Sequence, residues 1–206
     1  MSLGPRKEPT MRMAMLLLAL VVSPLLANGK ILDTDLVWKP SRTNLELGLP
    51  SINLLRFQGK AIFLAPFTDG RPDPSVIGEN RENLKRSPFP KVTTHEDVPK
   101  WVTAQGRTFL ANLGLPITDS PASRVIKGEI LSFFVVEGDD YIGDVRIKVQ
   151  VERDGQPIWS GLALGSAKRF GRSYKTENYV ETLSDSLQEA YASLLKNPSF
   201  MDALAN

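Results

Sequence analysis

From Tyr141 to Glu152 the chain alternates. Val145, Ile147, Val149 and Val151 are apolar, and Asp144, Arg146, Lys148, Gln150 and Glu152 lie between or beside them. A period of two sends one set to a buried face of a β-strand and the other to water. Asp154-Gly155 follows, a dipeptide favoured in two-residue hairpins. Gln156–Ala167 then predicts a returning strand with Ile158, Leu162 and Leu164, and with glycines that fit a bulge. Arg124–Glu137, rich in Val, Ile and Phe, predicts a long strand before this pair.

Two stretches switch to a helical period. After Asp97, a capping residue, Val98, Trp101, Val102, Phe109, Leu110 and Leu113 share one face, and Gly114 and Pro116 end the run. Near Thr176 or Glu177 a second helix begins, with Tyr179, Val180, Leu183, Leu187, Ala190, Tyr191, Leu194 and Leu195 as its stripe. Asn197-Pro198 stops it, and Phe200, Met201 and Leu204 fit one more short helical turn. Upstream, Lys60–Phe67 is an apolar run of strand length, closed by the turn-forming stretch 69–75 (DGRPDPS). Residues 77–91 read as an exposed polar loop. The pattern predicts an α+β fold: a mixed or antiparallel sheet of about four strands in the order β-α-β-β-β-α, with two helices packed on one face.

The N-terminus has a different character. Met13–Val22 is an uninterrupted apolar run preceded by Arg6, Lys7 and Arg12, broken at Ser23-Pro24 and followed by the small residues Ala27 and Gly29. This order is that of a secretory signal peptide. The run is shorter than the roughly 20 residues a spanning helix needs. The expected division is a signal peptide at 1–29, an extended leader at 30–58 and one domain at 59–206. Met11 is an alternative start. The localisation expected is the periplasm, with membrane contact through residues 13–22 if the signal is uncut.

Charge sharpens this picture. The chain of 206 residues carries a net charge of +2. The first 29 residues hold three basic side chains against Glu8, so they account for that surplus and the remainder is neutral. A neutral domain lacks the Lys and Arg excess that phosphate backbones require, which argues against nucleic acid. With no cysteine, thiol catalysis and Cys-based metal sites are excluded. The single histidine, His95, stands just before a helix start without a partner base or nucleophile nearby in sequence. Glycine-rich phosphate loops are absent, and no cofactor or metal is expected.

Two groups of residues carry what chemistry remains. Lys168, Arg169, Phe170, Arg172, Tyr174 and Lys175 interleave cations with aromatics, a pattern suited to an anionic envelope polymer, a lipid headgroup or an envelope protein. Arg71, between Asp69 and Asp73, is either presented from a strand end as a contact or locked in its own turn by an ion pair. The partner contacts expected are therefore Arg71, Lys168, Arg169 and Arg172. Asp69, Asp73, Asp139 and Asp140 support a competing reading, a carboxylate-dependent hydrolase of envelope polymers, which needs two of them facing each other across a cleft. A third reading is a structural protein held by an uncleaved N-terminal helix.

The ordered set Asp69-Gly70-Arg71-Pro72, Ile77-Gly78, the paired long strands, segment 161–174 and the C-terminal S-F-M-x-x-L resembles the YajG-like family of bacterial envelope lipoproteins. The resemblance spans most of 58–204. It implies a small envelope domain that binds partners and does not catalyse. One position departs from the family: Gly29 stands where a lipobox cysteine would be, so nothing there can be acylated.

Overall fold

The computed structural model describes Met1 and residues 31–206, and the signal-peptide reading lies outside the described residues. Its frame is three long antiparallel strands joined by tight turns: β7 (Arg124–Glu137), β8 (Asp140–Arg153) and β9 (Gln156–Phe170). The β8–β9 turn has Asp154 and Gly155 at φ 51° and 79°, the left-handed pair that a type I′ hairpin requires. The alternation foreseen for β8 holds: Val145, Ile147, Val149 and Val151 are buried.

The rest of the sheet is what the sequence pattern missed. Three short strands, β2 (Ile62–Leu64), β3 (Thr68–Asp69) and β4 (Val76–Asn80), lie one after another along β7, all parallel to it. They act as one long strand interrupted by proline-containing turns. Outside them, β6 (Ile117–Thr118) pairs with β2, β5 (Lys91–Thr93) pairs antiparallel with β4, and β1 (Leu32–Asp33) pairs with β5. Among the described residues the sheet therefore has nine strands, not about four. Segments of two to five residues are too short to display a period, and proline-rich turns hide their continuity. The stretch 77–91, read as an exposed loop, contains all of β4 but its first residue, and the first residue of β5.

There are three α-helices among the described residues, not two: α1 (Val98–Asn112), α2 (Thr176–Leu195) and α3 (Pro198–Ala205). Asp97 caps α1 by accepting the Lys100 N–H at 2.9 Å. The expected last turn is a capped helix in its own right, with Asn197 accepting N–H bonds from Ser199 and Phe200. None of these three helices is long and apolar enough to cross a membrane, nor is any other helix among the described residues.

α2 sits close against the sheet because two glycines make room. A Cβ at Gly165 of β9 would lie 1.9 Å from the Ser186 carbonyl oxygen, and one at Gly143 of β8 would lie 2.2 Å from the Ser186 hydroxyl. These positions mark close approach; the bulge itself is on β9 at Ile158, the extra residue opposite Val151 and Glu152 of β8. Residues 31–58 lie across the domain. Leu36, Leu47 and Phe57 enter its core. Asp185 of α2 accepts both the backbone N–H and the hydroxyl of Ser41 at 2.6 Å.

Among the described residues β9 has only β8 as a strand neighbour. At its middle, the Leu164 N–H is taken by the Ser193 hydroxyl of α2 at 3.0 Å.

Candidate functional site

Four chain ends meet at one end of the sheet: the last residues of β4, β7 and β9, and the segment 171–175 that leads into α2. Glu137 is the hub. It closes β7 and is fully buried. One carboxylate oxygen accepts the Tyr141 hydroxyl at 2.6 Å and the backbone N–H groups of Ser173 and Tyr174 at 2.8 and 2.7 Å. The other accepts the Asn80 side-chain amide at 2.8 Å and the Tyr179 hydroxyl at 2.7 Å. Burial alone pushes the Glu137 carboxyl up, but the bonds from Tyr141, Tyr174, Tyr179 and Ser173 outweigh it and hold the group below the ordinary glutamate range. Burial and the same carboxylate push the Tyr179 phenol up. Glu137 is thus an ionised, saturated tie and is closed to solvent. Its role is to position the chain around it.

What it positions is unusual backbone. Tyr174 has φ 45°, a left-handed conformation that a bulky non-glycine residue adopts only when its surroundings enforce it. Two adjacent N–H groups aimed at one carboxylate oxygen supply that enforcement. The Tyr174 hydroxyl donates to the Lys91 carbonyl at 3.1 Å, and burial pushes its phenol up while Arg86 opposes the shift. Beside it opens a polar cleft of about 500 Å³, lined by Asn80, Glu82, Asn83, Arg86, Arg172 and Tyr174.

The basic residues singled out from the sequence divide between two places. Lys168, Arg169 and Arg172 come together at this end of the sheet, and each faces an acid. Lys168 meets Asp140 at 2.8 Å, Arg169 meets Glu181, and Arg172 meets Asp139. The hydrogen bond that Lys168 donates to Asp140 pushes the lysine amine up. Arg71 is elsewhere, at the β3–β4 turn and buried. It grips Asp69 bidentately at 2.9 and 2.7 Å, donates to the Pro74 carbonyl at 2.7 Å and lies over the Phe133 ring. The Arg71 hydrogen bond in turn holds the Asp69 carboxyl down. This geometry is the turn closed by its own ion pair.

The four carboxylates of the hydrolase reading are each engaged locally: Asp69 with Arg71, Asp73 with Ser75 and Lys91, Asp139 with Arg172, and Asp140 with Lys168. His95 is exposed and faces Asp33 at 3.3 Å. Among the described residues no three His, Asp or Glu side chains converge as metal ligands would.

Glu137, Arg86, Asn80 and Asn83 escaped the sequence analysis, whereas Tyr174 stood in the basic-aromatic stretch it singled out. Glu137 did leave a signal. In the run FFVVE it shares the parity of Phe133 and Val135, both buried, so the period of two already placed a carboxylate in the core. Nothing in the sequence signals the cleft, because it is assembled from loops distant in the chain.

The fold has solved counterparts. A Xanthomonas campestris protein of the DUF330 family superposes with a TM-score of 0.53 at 9% identity, over 84% of this chain and 96% of that one. A minor lipoprotein from Acinetobacter baumannii gives 0.37 at 13% identity, over 68% and 92% of the two chains. A candidate lipoprotein from Caulobacter crescentus gives 0.39 at 13% identity, over 52% and 83%. The first shows a shared fold. No family model and no curated protein matches the chain. The YajG-like resemblance therefore belongs to the proposal that follows.

Proposed function

We propose that this chain is an exported, envelope-associated binding domain of the YajG-like kind, without catalytic activity, that assists assembly or maintenance of the cell envelope. The observation that carries the binding role is the polar cleft whose Tyr174 wall is held in a left-handed conformation by buried Glu137. A protein that fixes strained backbone beside an open cleft has a rigid recognition surface, and recognition gains from such preorganisation. The envelope setting rests on the signal-like order of residues 6–29. Lys168, Arg169 and Arg172 frame the same end of the sheet and are the contacts retained from the sequence; Arg71, sealed in its turn, is not retained.

The test has two parts. A C-terminally tagged chain is fractionated, and the mass of its N-terminus is measured; an uncut chain in the cytosol refutes the export reading. A photoreactive residue is then placed at Asn83, in the cleft, or at the exposed Asp119, on the loop after β6. Crosslinks to envelope components from position 83 and not from 119 support the cleft as the binding surface. Equal yields at both positions remove it.

A further inference from the structure

We infer that the cleft beside Tyr174 takes an acidic saccharide, its carboxylate held between Arg86 and Arg172. This deepens, and rests on, the reading of the cleft as the binding surface.

The cations come first. Arg86 makes no side-chain ion pair or hydrogen bond among the described residues, yet it lines the cleft. Among the described residues Arg172 faces only Asp139, and that pair is exposed, with side chains 54% and 82% accessible. An exposed pair of this kind is weak, so an incoming anion can replace Asp139 at little cost. Two guanidinium groups then suit one planar carboxylate, which arginine binds bidentately.

The remaining lining selects the carrier of that anion. Asn83 uses its side-chain oxygen on the Lys85 N–H, which leaves its amide N–H groups as donors. Glu82 adds an acceptor in the same cleft. A carboxylate there disfavours any anion beside it but accepts from hydroxyls, so the ligand must set its charge at the arginines and hydroxyls at Glu82, which a sugar acid offers and bare phosphate does not. Tyr174, fixed by Glu137, supplies an aromatic wall against which a sugar ring can pack. A volume of about 500 Å³ is of the size that holds a small ligand and fits a unit of one or two sugars.

The experiment is titration calorimetry on the full chain with digalacturonic acid, galactobiose, inorganic phosphate and tetraglutamate as probes. Digalacturonic acid should bind, with galactobiose at least about tenfold weaker. Arg86→Gln and Arg172→Gln should each weaken the acid at least about tenfold, whereas Lys148→Gln, an exposed lysine of β8 that does not line the cleft, should change it less than about twofold. Equal binding of galactobiose, tighter binding of phosphate or tetraglutamate, or indifference to both arginine substitutions overturns the inference. If digalacturonic acid fails to bind while position 83 still crosslinks envelope components, the ligand class is wrong and the cleft stands. If both fail, the binding-domain reading falls with it.

Discussion

Replacing Glu137 by Gln changes one atom and reverses the polarity of half the hub. In the native protein one oxygen accepts from Tyr141, Ser173 and Tyr174, and the other from Asn80 and Tyr179. In Glu137→Gln the first oxygen survives as a neutral acceptor. The second becomes an NH₂ group. Tyr179 can turn its hydroxyl and accept, but the Asn80 amide, half-buried at the cleft wall, then faces a donor. A half-buried donor without its acceptor costs about 1 kcal/mol, and the bonds that remain lose their charge assistance, so the loss should total about 2–3 kcal/mol at pH 7. The pH dependence has a fixed sign. The fold holds the Glu137 carboxyl below its ordinary value, so the stabilisation is complete above an unfolded value of about 4.3 and disappears as pH falls through the folded one. Urea unfolding of both proteins, followed by tryptophan fluorescence from pH 7 to about pH 2.5, should show a gap that is constant down to about pH 5 and narrows below it. A gap under about 0.5 kcal/mol at pH 7, or one that does not change with pH, would refute the account of the hub.

Three further outcomes are expected. Gly165→Ala would drive a methyl group into the Ser186 carbonyl and the Ala190 backbone, and should lower stability by about 3 kcal/mol, read as a drop in melting temperature; an unchanged Tm would mean that α2 does not rest on that glycine. Asp97→Ala removes the cap that accepts the Lys100 N–H and should cost about 1 kcal/mol in chemical denaturation, with Asp97→Asn nearly neutral. Asp185→Ala leaves the Ser41 N–H and hydroxyl without their acceptor, so amide exchange at Ser41 should accelerate before that of β8; equal protection in both proteins would count against the leader being tied there.

What was legible in the sequence followed the length of its patterns. β7 has the bounds expected for it, and α1 begins directly after its expected cap, because fourteen or fifteen residues are enough for a period to declare itself. The strands that border β7 on its other edge are held by register with a long partner. Thr68-Asp69 is a strand only because Glu129-Ile130 lies beside it, and no propensity within two residues announces that. The site divides in the same way. The cations near residue 170 were visible as composition, but their acids, Asp139, Asp140 and Glu181, lie on other elements, so a basic patch became three ion pairs only in three dimensions. Glu137 was legible by parity. Arg86 and Asn83 were not, since only tertiary placement sets them opposite Tyr174.

The single hydroxyl at the middle of β9 also bears on how this protein behaves at high concentration. The strand is fifteen residues long, and Leu162 and Leu164 are about half exposed on it. Such an edge is a template for another chain. Ser193 occupies the Leu164 N–H, a donor that an added strand would need near its centre, and it does so from α2. The guard is therefore no part of the sheet it protects. Freeing that donor needs only a local lifting of α2, well short of unfolding, so the guard at the centre of this edge is as firm as the seating of one helix against two glycines.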